Sequence, residues 1–217
     1  TNLAVACAAI HNVVLLPGEE FSYNATQGER TAAAGYKPAG TYVNGLTVDT
    51  IGGGICQVSS TLYYCTLLAD LKIIERWPHG FISSYTDPGM DASVSWPNAD
   101  LHFANNTGYP IKIEAYRKNG KMTMRIYGTD EKDYYVKMTY KVLDKTEYEV
   151  VYKEIDPNNN PEKYEDGEVL VTPYTGYHVK TFKNRYNKET NKDIVKLVFA
   201  ENYRARGSEA SYIARQI

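Results

Sequence analysis

Gly52-Gly53-Gly54-Ile55-Cys56-Gln57-Val58-Ser59-Ser60-Thr61-Leu62-Tyr63-Tyr64 sets a cysteine between a triple-glycine loop and a run with helical spacing. Consecutive glycines permit positive φ and a close backbone approach that side chains would resist. From Gln57 onward, Val58, Leu62, Cys65 and Leu68 or Ala69 recur at helical spacing, which predicts a helix over about 56–70 with Cys56 at its start. The first amides of a helix lack intrahelical partners and its dipole is positive there, so an anion is favoured. A thiol so placed has its pKa lowered from about 8.5 to roughly 3.5 to 7.5. Amides of the same loop, around Gly53, Gly54 and Gln57, can hold a developing oxyanion, each donor being worth about 3 to 4 kcal/mol. Cys56 is therefore a candidate nucleophile; the competing reading is a small buried hydrophobe, a common state of free cysteine.

Upstream, Leu3, Cys7, Ile10 and Val14 form one stripe of a helix over Asn2 to Asn12, stopped by Leu15-Leu16-Pro17-Gly18, which puts Cys7 in the core. Phe21 to Asn24 reads as a short strand, and Thr41 to Val48 as a hairpin turning at Asn44-Gly45. Downstream come strand-like segments at Lys72 to Trp77, Phe81 to Tyr85, Ala92 to Trp96 and Leu101 to Ala104. A hairpin of Ile111 to Tyr116 with Met122 to Tyr127, turning at Asn119-Gly120, follows. Helices first and sheet afterwards make an α+β pattern. Beyond Gly128 the composition shifts to alternating strands: Tyr134 to Leu143, Glu147 to Ile155, Glu168 to Thr172, Tyr177 to Tyr186 and Asp193 to Ala200, with Asp156 to Pro161 as a surface loop. The expectation is a first domain over 1–128 and a small all-β module over 129–217 with no cluster of chemistry, His178 being an ordinary strand residue.

A chain of 217 residues with 43% hydrophobic content can bury a real core. Its net charge of −2, without runs of like charge, argues against a nucleic-acid partner or a polybasic membrane anchor. Twenty tyrosines against five phenylalanines suggest a tyrosine-rich sheet surface, with a sugar- or peptide-binding face as the second reading. No apolar run is long enough to span a bilayer and no signal-like segment opens the chain, so it reads as an excised ectodomain. Three cysteines cannot all pair, and Cys56 and Cys65 lie too far apart along one helix to bridge. No histidine or cysteine pair has the short spacing of a zinc site, and no cofactor is expected.

A cysteine nucleophile needs a base and a group to orient it. His79, in the loop Arg76-Trp77-Pro78-His79-Gly80, is the first candidate, and His102, alternating with Leu101 and Phe103, the second. Asp91 and Asp100 are candidate orienters, with turn formation as the alternative role. Arg76 and Tyr85 flank the same loop and suit a carboxylate or peptide carbonyl; a surface ion pair is the other reading of Arg76. Ser59, Ser60 and Thr61 are first-turn hydroxyls that would satisfy free amides, Ser59 being also a candidate substrate contact.

Leu16-Pro17-Gly18-Glu19-Glu20-Phe21-Ser22-Tyr23-Asn24, Gly35-Tyr36-Lys37-Pro38-Ala39, the Gly52 to Tyr63 run, Glu75-Arg76-Trp77-Pro78-His79 and Gly89-Met90-Asp91-Ala92-Ser93-Val94 together resemble the VanW domain, from Asn2 to Gly128. The remainder is loosely similar to a G5-like β module. The resemblance implies an exported bacterial cell-envelope protein, extracytoplasmic and held by an amino-terminal membrane segment missing from this chain. It also implies peptidoglycan stem peptides as partners, as donor tetrapeptide and acceptor amine, and L,D-transpeptidase activity through Cys56. A reactive thiolate there would also suit acylation by carbapenem-type drugs as inhibitors. The alternatives are a cell-wall cysteine peptidase or L,D-carboxypeptidase, and a non-catalytic peptidoglycan-binding module.

Overall fold

The computed structural model describes residues 2–43, 46–155, 173–203 and 208–213. The architecture is α+β and predominantly antiparallel sheet, as expected. Helix α1 (Asn2–Ile10) buries Ala6, Cys7 and Ile10. Two short strands, β1 (Val14–Leu15) and β2 (Glu20–Ser22), follow. Where the strand was expected to run on to Asn24, the Ser22 hydroxyl accepts from the Ala25 amide and the Asp100 carboxylate accepts from the Asn24 amide, starting helix α2 (Tyr23–Gln27) instead. Strands β3 (Pro38–Val43) and β4 (Leu46–Ile51) pair antiparallel; their Asn44-Gly45 connection lies outside the described residues.

Helix α3 (Cys56–Leu68) begins at the cysteine and buries Val58, Leu62 and Leu67. Beyond it, β5 (Lys72–Glu75) and β6 (His102–Ala104) form a sheet with β2 in the order β2-β6-β5. The hairpin of β7 (Ile111–Lys118) and β8 (Lys121–Tyr127) turns through Asn119 at φ 51° and Gly120 at φ 75°, two successive positive φ values as a type I′ turn requires. Ile10, Leu62, Leu67, Leu101, Phe103 and Ile113 meet in a common core.

Two expected strands are absent. Residues 81–85 form loop and turn, and residues 92–96 contribute only isolated bridges, Trp77 with Ser93 and Ser95 with Ala99. The alternation that suggested the second one is real, since Ala92 and Val94 are buried. Their segment, however, is tied to α3 by side chains: the Ser59 hydroxyl donates to the Ala92 carbonyl at 2.6 Å, and the Ala92 amide donates to the Ser60 hydroxyl at 2.9 Å.

The later chain forms β9 (Tyr134–Thr146), β10 (Val150–Ile155), β11 (Gly176–Asn187), β12 (Asp193–Tyr203) and β13 (Ser208–Ile213). One sheet has the antiparallel order β12-β11-β9, while β10 pairs in parallel with β13, a strand the sequence pattern did not suggest. The expected strand at Glu168 to Thr172 and the loop at Asp156 to Pro161 lie outside the described residues. Contacts cross residue 128. Asp70, buried after α3, receives Lys183 at 2.6 Å, Arg185 at 2.7 Å and the Tyr134 hydroxyl at 2.7 Å. The Thr181 hydroxyl donates to the Pro88 carbonyl at 3.0 Å. A Cβ on Gly89, itself at φ 76°, would lie 2.0 Å from that Thr181 oxygen, so only glycine permits this approach.

Candidate active site

Gly52 and Gly54 adopt φ 86° and 89°, which turns the chain sharply from β4 into α3. Gly53 between them presses on β3: a Cβ there would stand 2.0 Å from the Ala39 carbonyl oxygen. The Asn2 amide nitrogen donates to the Gly53 carbonyl at 2.9 Å and to that of Lys37 at 2.8 Å, pinning loop, hairpin and α1 together. Gly53 is thus a packing residue rather than the expected substrate contact, while Gly54 lines the cavity described below. The amides of Gly53, Ile55 and Gln57 donate to Thr50, Gly52 and Gly54 carbonyls, so neither Gly53 nor Gln57 offers its N–H to a ligand.

The Cys56 sulfur is partly buried against Val94, whose amide and carbonyl both approach it at 3.5 Å. Burial opposes its ionisation, but His79, acting as hydrogen-bond partner and as a charge, outweighs this and lowers the thiol pKa below its ordinary value, helped by Val94 and Ser93. The other two cysteines behave oppositely: burial pushes Cys7 and Cys65 up to about 11. All three are free thiols.

His79 is held by Asp91 through two bonds to one oxygen: the His79 backbone amide and its Nδ1 both lie 2.7 Å from Oδ2. Since an ionised carboxylate only accepts, Nδ1 carries hydrogen and Nε2 is directed to the cavity, where the Tyr85 hydroxyl lies 3.2 Å away. Burial works against the imidazolium, yet Asp91 and Cys56 raise the His79 pKa to about 9. The other oxygen of Asp91 accepts from Arg76 Nη2 at 2.9 Å and from the Tyr203 hydroxyl at 2.7 Å. Burial would raise this carboxyl's pKa, but His79 and Arg76 hold it down at about 2.

The structure brings Cys56, His79, Asp91 and Tyr85 together and separates the alternatives from them. His102 pairs with Glu20 at 3.0 Å on β6, and Asp100 caps α2. Arg76 is neither a surface ion pair nor open to a ligand through its Asp91-facing edge: its side chain is only 9% exposed, and Nε donates to the Asp91 carbonyl at 2.6 Å. Ser59 is fully buried and its single hydroxyl hydrogen goes to the Ala92 carbonyl at 2.6 Å, with the Cys56 carbonyl 3.1 Å away, so it is neither an amide cap nor a substrate contact. Thr61 likewise donates to the Gln57 carbonyl.

A cleft of about 470 Å³ opens on the sulfur, lined by Cys56, His79, Phe81, Tyr85, Ser93 and Tyr174. Phe81 stacks on Tyr174 with centroids 4.6 Å apart, so an aromatic wall is shared by the two parts of the chain. Tyr203 and Tyr174 lie beyond the stretch where sequence points to chemistry; the alternating pattern of the later strands gives no sign of which tyrosine meets the loop at 79–91. Among the described residues, no group of three or more His, Cys, Asp or Glu side chains offers a metal site. Nor is any described helix long and apolar enough to cross a membrane.

A family model described as VanW like protein matches residues 1–127. An uncharacterized protein of Bacillus subtilis, YoaR, is 43% identical over 129 residues, covering 59% of this chain and 43% of its own. The vancomycin B-type resistance protein VanW of Enterococcus faecalis is 30% identical over 118 residues, covering 52% of this chain and 42% of its own. The chain thus spans less than half the length of these curated relatives. No solved structure matches.

Proposed function

Given that the chain belongs to the VanW family, we propose that it is a cell-wall enzyme of cysteine-dependent acyl transfer, an L,D-transpeptidase acting on peptidoglycan stem peptides outside the cytoplasmic membrane. One observation carries this reading: a thiol with lowered pKa faces a histidine whose other nitrogen is fixed by a buried carboxylate, at the edge of an open cleft. A nucleophile, its base and the group orienting that base form the working set of covalent acyl transfer. The relative named for vancomycin resistance supports a substrate in the cell wall.

In the proposed reaction the Cys56 thiolate attacks the carbonyl between the third residue of a stem peptide, a diaminopimelate, and the fourth, D-alanine. The S–C bond forms, the tetrahedral oxyanion rests on amides of the glycine loop, and the C–N bond breaks as His79 gives its Nε2 proton to the leaving amine. Gly54 and Cys56 supply the amides not engaged in the turn bonds described above. D-Alanine departs and a thioester remains. The side-chain amine of a second diaminopimelate then attacks the thioester, giving its proton to His79 and expelling the thiolate, which leaves a 3-to-3 crosslink. Asp91 keeps the ring in the required tautomer throughout, and Arg76 keeps Asp91 ionised.

The test is mass spectrometry of purified tetrapeptide muropeptides incubated with the protein and with Cys56→Ala. Crosslinked dimers and free D-alanine are expected from the former alone. Equal dimer yield from the variant refutes the mechanism, and tripeptide monomers without dimers reassign the activity to an L,D-carboxypeptidase. A carbapenem is expected to add its mass to the native protein and not to Cys56→Ala.

A further inference from the structure

A second cavity, of about 310 Å³, shares Cys56, Gly54, Val94 and Ser95 with the cleft but not His79, and Arg30 lines it. The Arg30 side chain is held in place along its length. Its stem lies over the glycine loop, where a Cβ on Gly52 would come within 2.9 Å of the Arg30 Cβ. Its guanidinium carbon sits 5.6 Å from the centre of the Tyr23 ring, and Nη2 donates to Asn24 Oδ1 at 2.7 Å. The other two nitrogens, Nε and Nη1, are buried without any hydrogen-bond partner, and so is the Tyr23 hydroxyl beneath. No described carboxylate forms an ion pair with Arg30; Glu29, at the rim of the cavity, is exposed and makes none. Leaving a charged donor buried and unpaired is costly, so in native proteins such groups meet ordered water, an ion or a ligand, or serve a function.

We propose that Arg30 anchors a carboxylate subsite beside Cys56, which receives the terminal carboxylate of the residue released from the substrate. The inference rests on Cys56 being the nucleophile. In a peptide cut at its last bond, one tetrahedral carbon separates the leaving nitrogen from that carboxylate, so a cationic pocket adjoining the sulfur is where the group must go. The guanidinium offers charge-assisted hydrogen bonds to a carboxylate, and the ring beneath it restricts its movement. The subsite makes the enzyme select substrates by their free C-terminus, sparing internal peptide bonds whose next residue continues as an amide.

The experiment compares two alkylating agents at pH 7, iodoacetate and iodoacetamide, which differ in carrying a carboxylate or a neutral amide. With each, the thiolate forms an S–C bond and iodide leaves. Labelling of Cys56 is followed by peptide mass mapping in the native protein, Arg30→Gln and Arg30→Lys. The ratio of iodoacetate to iodoacetamide rates is expected to fall by at least about tenfold in Arg30→Gln, the worth of one charge-assisted hydrogen bond, and less in Arg30→Lys. An unchanged ratio, with iodoacetamide still labelling Cys56, overturns the subsite and leaves the nucleophile standing. Failure of both reagents on the native protein overturns the nucleophile and the subsite with it. A second measurement leaves Arg30 untouched: Cys56→Ala should bind a peptide ending in free D-alanine at least about tenfold more tightly than the same peptide amidated at its C-terminus. Equal affinity refutes the proposal.

Discussion

Replacing His79 with glutamine leaves Cys56 as desolvated as before but removes the imidazolium that offsets the burial. The thiol pKa, now below its ordinary 9.0, should return toward or beyond that value, because burial is the largest single influence on it. A thiol of pKa 9.0 is only about 1% ionised at pH 7. Each unit of upward shift removes tenfold of the thiolate, but the more basic sulfur is also more nucleophilic, with a Brønsted slope of about 0.4 to 0.5. The net loss is about three- to fourfold in rate per unit at pH 7, and it reverses once both proteins are fully ionised, where the more basic sulfur is faster by about 2.5- to 3-fold per unit. Iodoacetamide labelling measured from pH 5 to 11 should therefore give two curves, the variant's midpoint displaced to higher pH and the two crossing at the alkaline end. Superimposed curves would show that the imidazole does not govern the sulfur, and the reasoning built on their pairing would fail. Acyl transfer by the native protein should in addition decline above about pH 9, where His79 loses the proton it must deliver.

Other expectations rest on single contacts. Gly53→Ala would force a methyl to within 2.0 Å of the Ala39 carbonyl oxygen and should destabilise by more than the about 1 to 3 kcal/mol usual for overpacking, read by urea denaturation. Tyr203→Phe deletes the hydroxyl that donates to Asp91 and accepts from the Gly89 amide at 2.6 Å, leaving that amide buried and unpaired. A loss of about 1 to 3 kcal/mol is expected, with slower labelling of Cys56; unchanged stability would mean that water replaces the hydroxyl. For pH dependence, His79 has a folded pKa raised from 6.5 to about 9, so its contribution is complete below 6.5 and disappears as pH rises through 9. Asp91, lowered from 3.8 to about 2, contributes fully above 3.8 and loses its effect as pH falls through 2. Their joint contribution should peak between about pH 4 and 6.5, and in Asp91→Asn the urea midpoint should vary less across pH 5 to 10 than in the native protein.

The elements that could be read in advance are those whose cause is local. Helix α3 announces itself by glycines and spacing, and the β7–β8 turn by Asn119-Gly120. Proline and glycine around His79 mark a loop, and that was enough to select the histidine facing Cys56 over His102. The features that sequence does not reveal depend on partners far along the chain. Residues 92–96 alternate like a strand, but Ala92 bonds to serines of a helix, and Ser93 and Ser95 make only isolated bridges to Trp77 and Ala99. Arg76 looked available because nothing nearby in sequence shows that it meets Asp91, fifteen residues on. Arg30 carries no motif at all; only the three-dimensional path of the glycine loop places its stem against Gly52.

The Asp91 carboxylate accepts four hydrogen bonds from residues as distant as Arg76 and Tyr203, and one of the donors, Tyr203 at the end of β12, lies seventy-six residues beyond the end of the family match at 127. Similarity between relatives and wholeness of the machinery thus have different borders. A gene shortened at the limit of recognisable kinship would encode the sulfur, the ring and the acid, yet leave that acid short of a proton donor and Gly89 exposed to bulk solvent. Whoever trims this protein for crystallisation or transplants its reactive part should carry β12 along.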